Sequence, residues 1–92
     1  MNMREGILDS LVRDQRTAEL IQKYLEVSDI NFTEEGLINE IVSLFKEGKI
    51  YIEYPPKSKN QRTINFNEIE GYWFELTQEG QVEWERIEAK SL

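Results

Sequence analysis

The stretch PPKSKNQRT, Pro55 to Thr63, gathers Lys57, Lys59 and Arg62 with no acid among them, in a chain of net charge −7. Cations on a short polar loop, with Asn60 and Gln61 between them, are the chemistry of phosphate contact. The same residue types also make up an ordinary solvated hairpin tip. A second set of reactive groups is acidic: Glu83, Glu85 and Glu88 in one segment, and Glu68 and Glu70 in another, are the types used for acid–base or metal pairs. A paired-carboxylate hydrolase needs a deep cleft that raises one pKa, and 92 residues leave little room to build one. Calcium loops need spaced oxygen ligands around a central glycine, and no Asp-x-Asp-x-Asp-Gly run occurs. With no His and no Cys, the chain lacks the common nucleophile–base pairs, most zinc sites and the proton shuttle of neutral pH. Its glycines are scattered and form no phosphate cradle. The glutamates are therefore read as solvating helix faces, and no enzymatic activity, catalytic residue, cofactor or metal is expected.

The elements that position these groups must come from one small core. Residues 1–92 are read as a single domain, because two cores could not both bury enough surface in this length. Apolar residues make up 39% of the chain and charged residues 32%, with ten aromatic side chains to drive folding. The N-terminal stretch MNMREGILDSLVRD has too short an apolar patch for a signal peptide, and no run approaches the roughly 20 apolar residues of a membrane span. A soluble, cytoplasmic protein is expected. Its acidic balance argues against general affinity for polyanions, so any nucleic-acid contact would be local.

Met3, Ile7, Leu8, Leu11 and Val12 recur at helical spacing and predict a first helix over residues 3–13, with Gly6 weakening its start. A second helix over residues 17–26 carries Ala18, Leu20, Ile21, Tyr24, Leu25 and Val27 around about half its circumference, an arc that predicts a central position between two neighbours. Asn31 and Thr33 are both suitable N-caps for a third helix, Asn31 with Glu34 in capping-box spacing. Leu37, Ile38, Ile41, Val42, Leu44 and Phe45 form its buried arc, and Gly48 ends it where positive φ is needed.

KIYIEY then alternates Ile50, Ile52 and Tyr54 against Tyr51 and Glu53, a strand with one face on the core, and Pro55 and Pro56 stop it. Ile64 and Phe66 resume a period of two, so some strand pairing around residues 63–67 is expected. Tyr72, Phe74 and Leu76 share one face of a returning strand after a turn at Gly71. Thr77 caps a last helix, TQEGQVEWERIEAKSL, with Gly80, Trp84 and Ile87 on one side and Gly80 allowing close approach.

The stretch FTEEGLINEIVSLFKEGKIYIEY, with the closing FELTQEGQVEWERI, resembles the winged-helix family over roughly residues 3–90. The resemblance implies an α+β fold: a three-helix bundle, a small antiparallel β-hairpin or wing, and a C-terminal helix begun by the Leu76, Thr77 and Gly80 pattern. It also implies that the third helix is the recognition element and that PPKSKNQRT is the wing, with Lys57, Lys59, Asn60, Gln61 and Arg62 where such domains touch DNA.

The outward side of the third helix decides between functions. Projected at 100° per residue it holds Glu35, Asn39, Glu40, Ser43, Lys46 and Glu47, three carboxylates against one ammonium, which is ill-suited to lie between phosphate walls. Specific DNA binders neutralise about 6–10 phosphates, whereas the wing supplies three cations, for a salt slope of about −2.7. The expectation is therefore a regulatory protein-interaction module using that helix face, its partner a protein. DNA binding through the wing and third helix, as a dimer, is the alternative. Tyr51, Tyr54, Trp73 and Trp84 are further contact candidates. Val82 and Ala89 form a second apolar stripe on the last helix, where another copy could pack.

Overall fold

Asn2 opens the fold with a reciprocal capping box: its side chain accepts from the Glu5 N–H, and the Glu5 carboxylate accepts from the Asn2 N–H. The computed structural model describes residues 1–90. Helix α1 spans Met3–Arg13, α2 spans Ala18–Val27, α3 spans Glu34–Lys46 and α4 spans Gln78–Lys90. Strands β1 (Ile50–Tyr54) and β2 (Trp73–Leu76) form an antiparallel pair between α3 and α4. The architecture is mixed α+β, four helices with a two-stranded hairpin among the described residues.

The central helix is α1, not α2 as the width of the α2 arc suggested. Residues Gly6 to Leu11 are all buried, because α1 packs against α2, α3, α4 and β2. Helix α2 turns only Ala18, Ile21 and Leu25 fully inward, and Val27, counted into its arc, is 88% exposed. The reason is angular: at 100° per residue Val27 stands on the side of α2 opposite Ala18 and Leu25, at the outer limit of the arc.

Thr33, rather than Asn31, caps α3: its hydroxyl accepts from the Gly36 N–H at 3.0 Å, and Asn31 stays exposed outside the helix. Leu37, Ile41 and Leu44 are buried, and Ile38, Val42 and Phe45 are half-buried beside them. Gly48 adopts a φ of 75°, the left-handed geometry expected where α3 turns into β1.

The hairpin pairs Ile50 with Leu76, Tyr51 with Glu75 and Ile52 with Phe74. A register shift between Ile52 and Tyr54 breaks the alternation, so Tyr54 is exposed instead of lying on the core face. On its other edge β2 meets the link between α1 and α2: the Phe74 N–H donates to the Arg16 carbonyl at 2.8 Å, and the Arg16 N–H donates back at 3.1 Å. Ile64 and Phe66 do not pair as a strand. Residues 55–72 instead contain two 3₁₀ turns, Pro56–Ser58 and Phe66–Gly71, the second capped by Asn65 and burying Ile69. Short 3₁₀ turns satisfy the backbone of a long connection without needing a partner strand.

Thr77 couples the hairpin to α4. Its hydroxyl accepts from the Gly80 N–H at 3.1 Å and donates to the Gly48 carbonyl, while its N–H donates to the Lys49 carbonyl. Gly80 passes so close to that carbonyl that a Cβ would stand 2.0 Å from the Lys49 oxygen, the close approach expected of this residue. Residues 91 and 92 of the last predicted helix lie outside the described residues.

Candidate interaction surface on the third helix and the connecting loop

The face of α3 away from the core divides in two. Glu35, Asn39, Ser43 and Lys46 form an exposed stripe. Glu40 and Glu47 instead turn toward Arg4, which α1 carries past the end of α3. Arg4 donates from Nη1 and Nη2 to both Glu47 carboxylate oxygens, at 3.0 and 2.9 Å, and its Nη1 is 3.9 Å from Glu40 Oε2. The same guanidinium donates from Nε and Nη2 to Glu83 of α4, at 2.7 and 2.9 Å, and Lys49 Nζ stands 3.5 Å from Glu83. Both glutamates are thereby held below the ordinary glutamate range, the hydrogen bonds from Arg4 outweighing partial burial. The stripe of Glu35, Asn39, Ser43 and Lys46 is close to neutral, and although Glu47 beside it is also exposed, its charge is paired with Arg4, so the outward side is less acidic than the face projected from the sequence. Nothing local to Arg4 signals this cluster, because its partners lie 43 and 79 residues away.

The basic stretch is folded back on the domain. Lys59 Nζ is 3.2 Å from Glu53, and Gln61 donates to the Tyr72 hydroxyl at 3.0 Å and to the Thr63 carbonyl at 2.8 Å. The Tyr72 hydroxyl donates in turn to Glu68. Lys57, Asn60 and Arg62 are exposed, yet Lys57 shares a shallow cleft with Glu68 and Glu70. Around the loop, one of its three cations is thus ion-paired, Lys59 with Glu53, and Lys57 lies in the cleft that Glu68 and Glu70 line. The absence of acids that makes PPKSKNQRT conspicuous in sequence is partly offset in space, for Lys59 by Glu53 of β1 and beside Lys57 by Glu68 and Glu70 of the second 3₁₀ turn.

A carboxylate that the sequence did not single out is Asp9, 4% exposed on α1. It accepts from Trp84 Nε1 at 3.0 Å, from Arg13 Nη2 at 3.4 Å and from the Tyr24 hydroxyl. Burial favours its neutral form, but these donors outweigh burial and hold Asp9 below the ordinary aspartate value. Arg16 stacks over the Tyr24 ring at 5.3 Å and donates to the Ser10 carbonyl, closing the network. Asp9 joins α1, α2 and α4 through these three donors, an arrangement that locks the helices together.

Of the aromatic contact candidates, Tyr51 donates to Glu75 at 2.8 Å and, like Trp73 and Trp84, is half-buried, so only Tyr54 projects freely. Val82, 40% exposed, and Ala89 lie on the solvent side of α4. Among the described residues no helix is long and apolar enough to cross a membrane.

A groove of about 380 Å³ opens between α2, α3 and the second 3₁₀ turn, a feature the sequence did not indicate. Ala18, Leu37, Ile38 and Ile69 floor it, and Glu19, Glu34 and Glu70 stand at its lining. Comparison of the chain with models of protein families, with curated proteins and with solved structures finds no match.

Proposed function

We propose that the chain is a small winged-helix-type domain acting as a regulatory protein-interaction module, with the α3 stripe of Glu35, Asn39, Ser43 and Lys46 in its contact surface and Glu40 and Glu47 at its border. The winged-helix reading is supported by the element order and by the Arg16–Phe74 bridge, which gives the returning strand a neighbour on each edge. The observation that carries the functional reading is the thinning of the basic loop: one of its three cations, Lys59, is ion-paired to Glu53, and the amide of Gln61 is turned inward to Tyr72. What remains for a phosphate backbone is Lys57 and Arg62 on the loop and Lys46 on α3, well below the roughly 6–10 contacts of a specific DNA binder.

A titration of the protein against mixed-sequence duplex DNA at low and at physiological salt tests this. No retardation at either salt is expected; retardation at low salt that Lys57→Glu with Arg62→Glu abolishes would favour the DNA-binding alternative. Capture of a specific protein, weakened by Glu35→Lys or Lys46→Glu, is the positive outcome.

A further inference from the structure

We infer that the groove between α2, α3 and the second 3₁₀ turn holds an apolar side chain of a basic protein segment. This deepens the protein-interaction reading and rests on it. The floor is built from aliphatic residues of three separate elements, Ala18 from α2, Leu37 and Ile38 from α3, and Ile69 from the 3₁₀ turn. Ile38 remains half-buried at the groove, although it belongs to the arc that seals α3 onto the core.

Charge complementarity selects the occupant. Three carboxylates, Glu19, Glu34 and Glu70, line the groove with no cation lining it. Glu19 has a loose exposed partner in Lys23 at 3.5 Å, while Glu34 and Glu70 meet no cation closely enough for an ion pair among the described residues, although Lys57 shares the neighbouring cleft with Glu70. An aliphatic floor under unpaired carboxylates attracts a segment whose apolar residue is flanked by Lys or Arg, and repels acidic segments and phosphates. The lining has few uncharged polar groups to orient a small polar ligand, Gln22 being tied to Glu26 at 3.2 Å. The groove adjoins the exposed α3 stripe through Glu34 and Ile38, so one partner segment can cover both.

The test uses the full chain and a fluorescein-labelled peptide, Lys-Lys-Leu-Ala-Ala-Leu-Lys-Lys, with Lys-to-Glu and Leu-to-Ser versions as controls, at near-physiological salt where loose surface attraction is screened. The basic leucine peptide is expected to bind and to shift the backbone NMR signals of Gln22, Leu37, Ile38 and Ile69. Both controls are expected to lose binding. E34Q combined with E70Q should weaken it roughly fivefold or more, as the loss of two exposed ion pairs implies. I38S should weaken it as well. Because I38S also thins the core, the exposed E34Q/E70Q pair keeps the test decisive if I38S fails to fold. No binding by the basic peptide, equal binding by the serine version, shifts scattered over the acidic surface, or groove shifts on raising protein concentration alone would each overturn the proposal. The broader reading fails separately, on the DNA titration and on capture that ignores the α3 substitutions.

Discussion

Arg4 and Glu83, 79 residues apart, meet in a two-pronged ion pair with N–O distances of 2.7 and 2.9 Å. This contact fastens α4 to α1, and by engaging Glu47 as well the same guanidinium reaches the C-terminal end of α3. Replacing Arg4 with Met keeps the stem and removes the charge, leaving two carboxylates close together without their shared counter-ion. The expected loss is about 1–2 kcal/mol in urea unfolding, with part of the gain already screened by solvent. Glu83→Gln should cost more than Glu47→Gln, since the Glu83 side chain is 24% exposed and that of Glu47 45%.

The same cluster sets a pH dependence. Glu83, Glu47 and Asp9 all have folded-state values below their ordinary ones, so their contribution is complete above the unfolded values near about pH 4 and is lost as pH falls through the folded values. The urea midpoint should be flat from about pH 7 to 5 and drop progressively below. R4M should lower the plateau and shallow the drop; a profile parallel to that of the unmodified protein would show that Arg4 does not set those carboxyls.

Gly80→Ala is expected to be among the most damaging small substitutions. The added carbon would meet a backbone oxygen at 2.0 Å, and a carbonyl cannot swing aside as a side-chain tip can. A loss of about 3 kcal/mol and a detached α4 are expected, read by a lower melting temperature and a changed Trp84 fluorescence. Gly71→Ala is the control: no atom lies within 4 Å of its added carbon, and it should change stability by less than about 0.5 kcal/mol.

Tyr72→Phe tests whether the basic loop is held in place. Its hydroxyl accepts from Gln61 and donates to Glu68, while its ring stays in the core 6.1 Å from Phe74. Losing the hydroxyl should cost about 1 kcal/mol globally. The specific sign is faster amide exchange across residues 58–68 with little change in the helices; unchanged exchange there would mean that the 3₁₀ turns hold the loop without Gln61.

Much of the fold was legible because helix and strand periodicity, caps and glycine geometry are local. The α1 bounds, the Gly48 turn and the Thr77 cap all follow from residues within a few positions of one another, and Gly80 marked a close approach although the atom it passes, the Lys49 carbonyl, lies far along the chain. Ile64 and Phe66 misled for the same reason: a period of two marks a strand only where a partner edge exists, and both edges of β2 are already taken by β1 and by Arg16.

The sequence by itself determined which segments become helices, where the hairpin lies, and that the chain carries an excess of negative charge. Tertiary structure alone decided where that charge acts. It tied Glu40, Glu47 and Glu83 to Arg4, paired Glu53 with Lys59 of the basic loop, and left Glu34 and Glu70 beside an apolar groove. The physical reason is that backbone hydrogen bonding and the periodicity of apolar residues are local enough to be written in short patterns, whereas Coulomb attraction depends on distances in space between residues far apart along the chain.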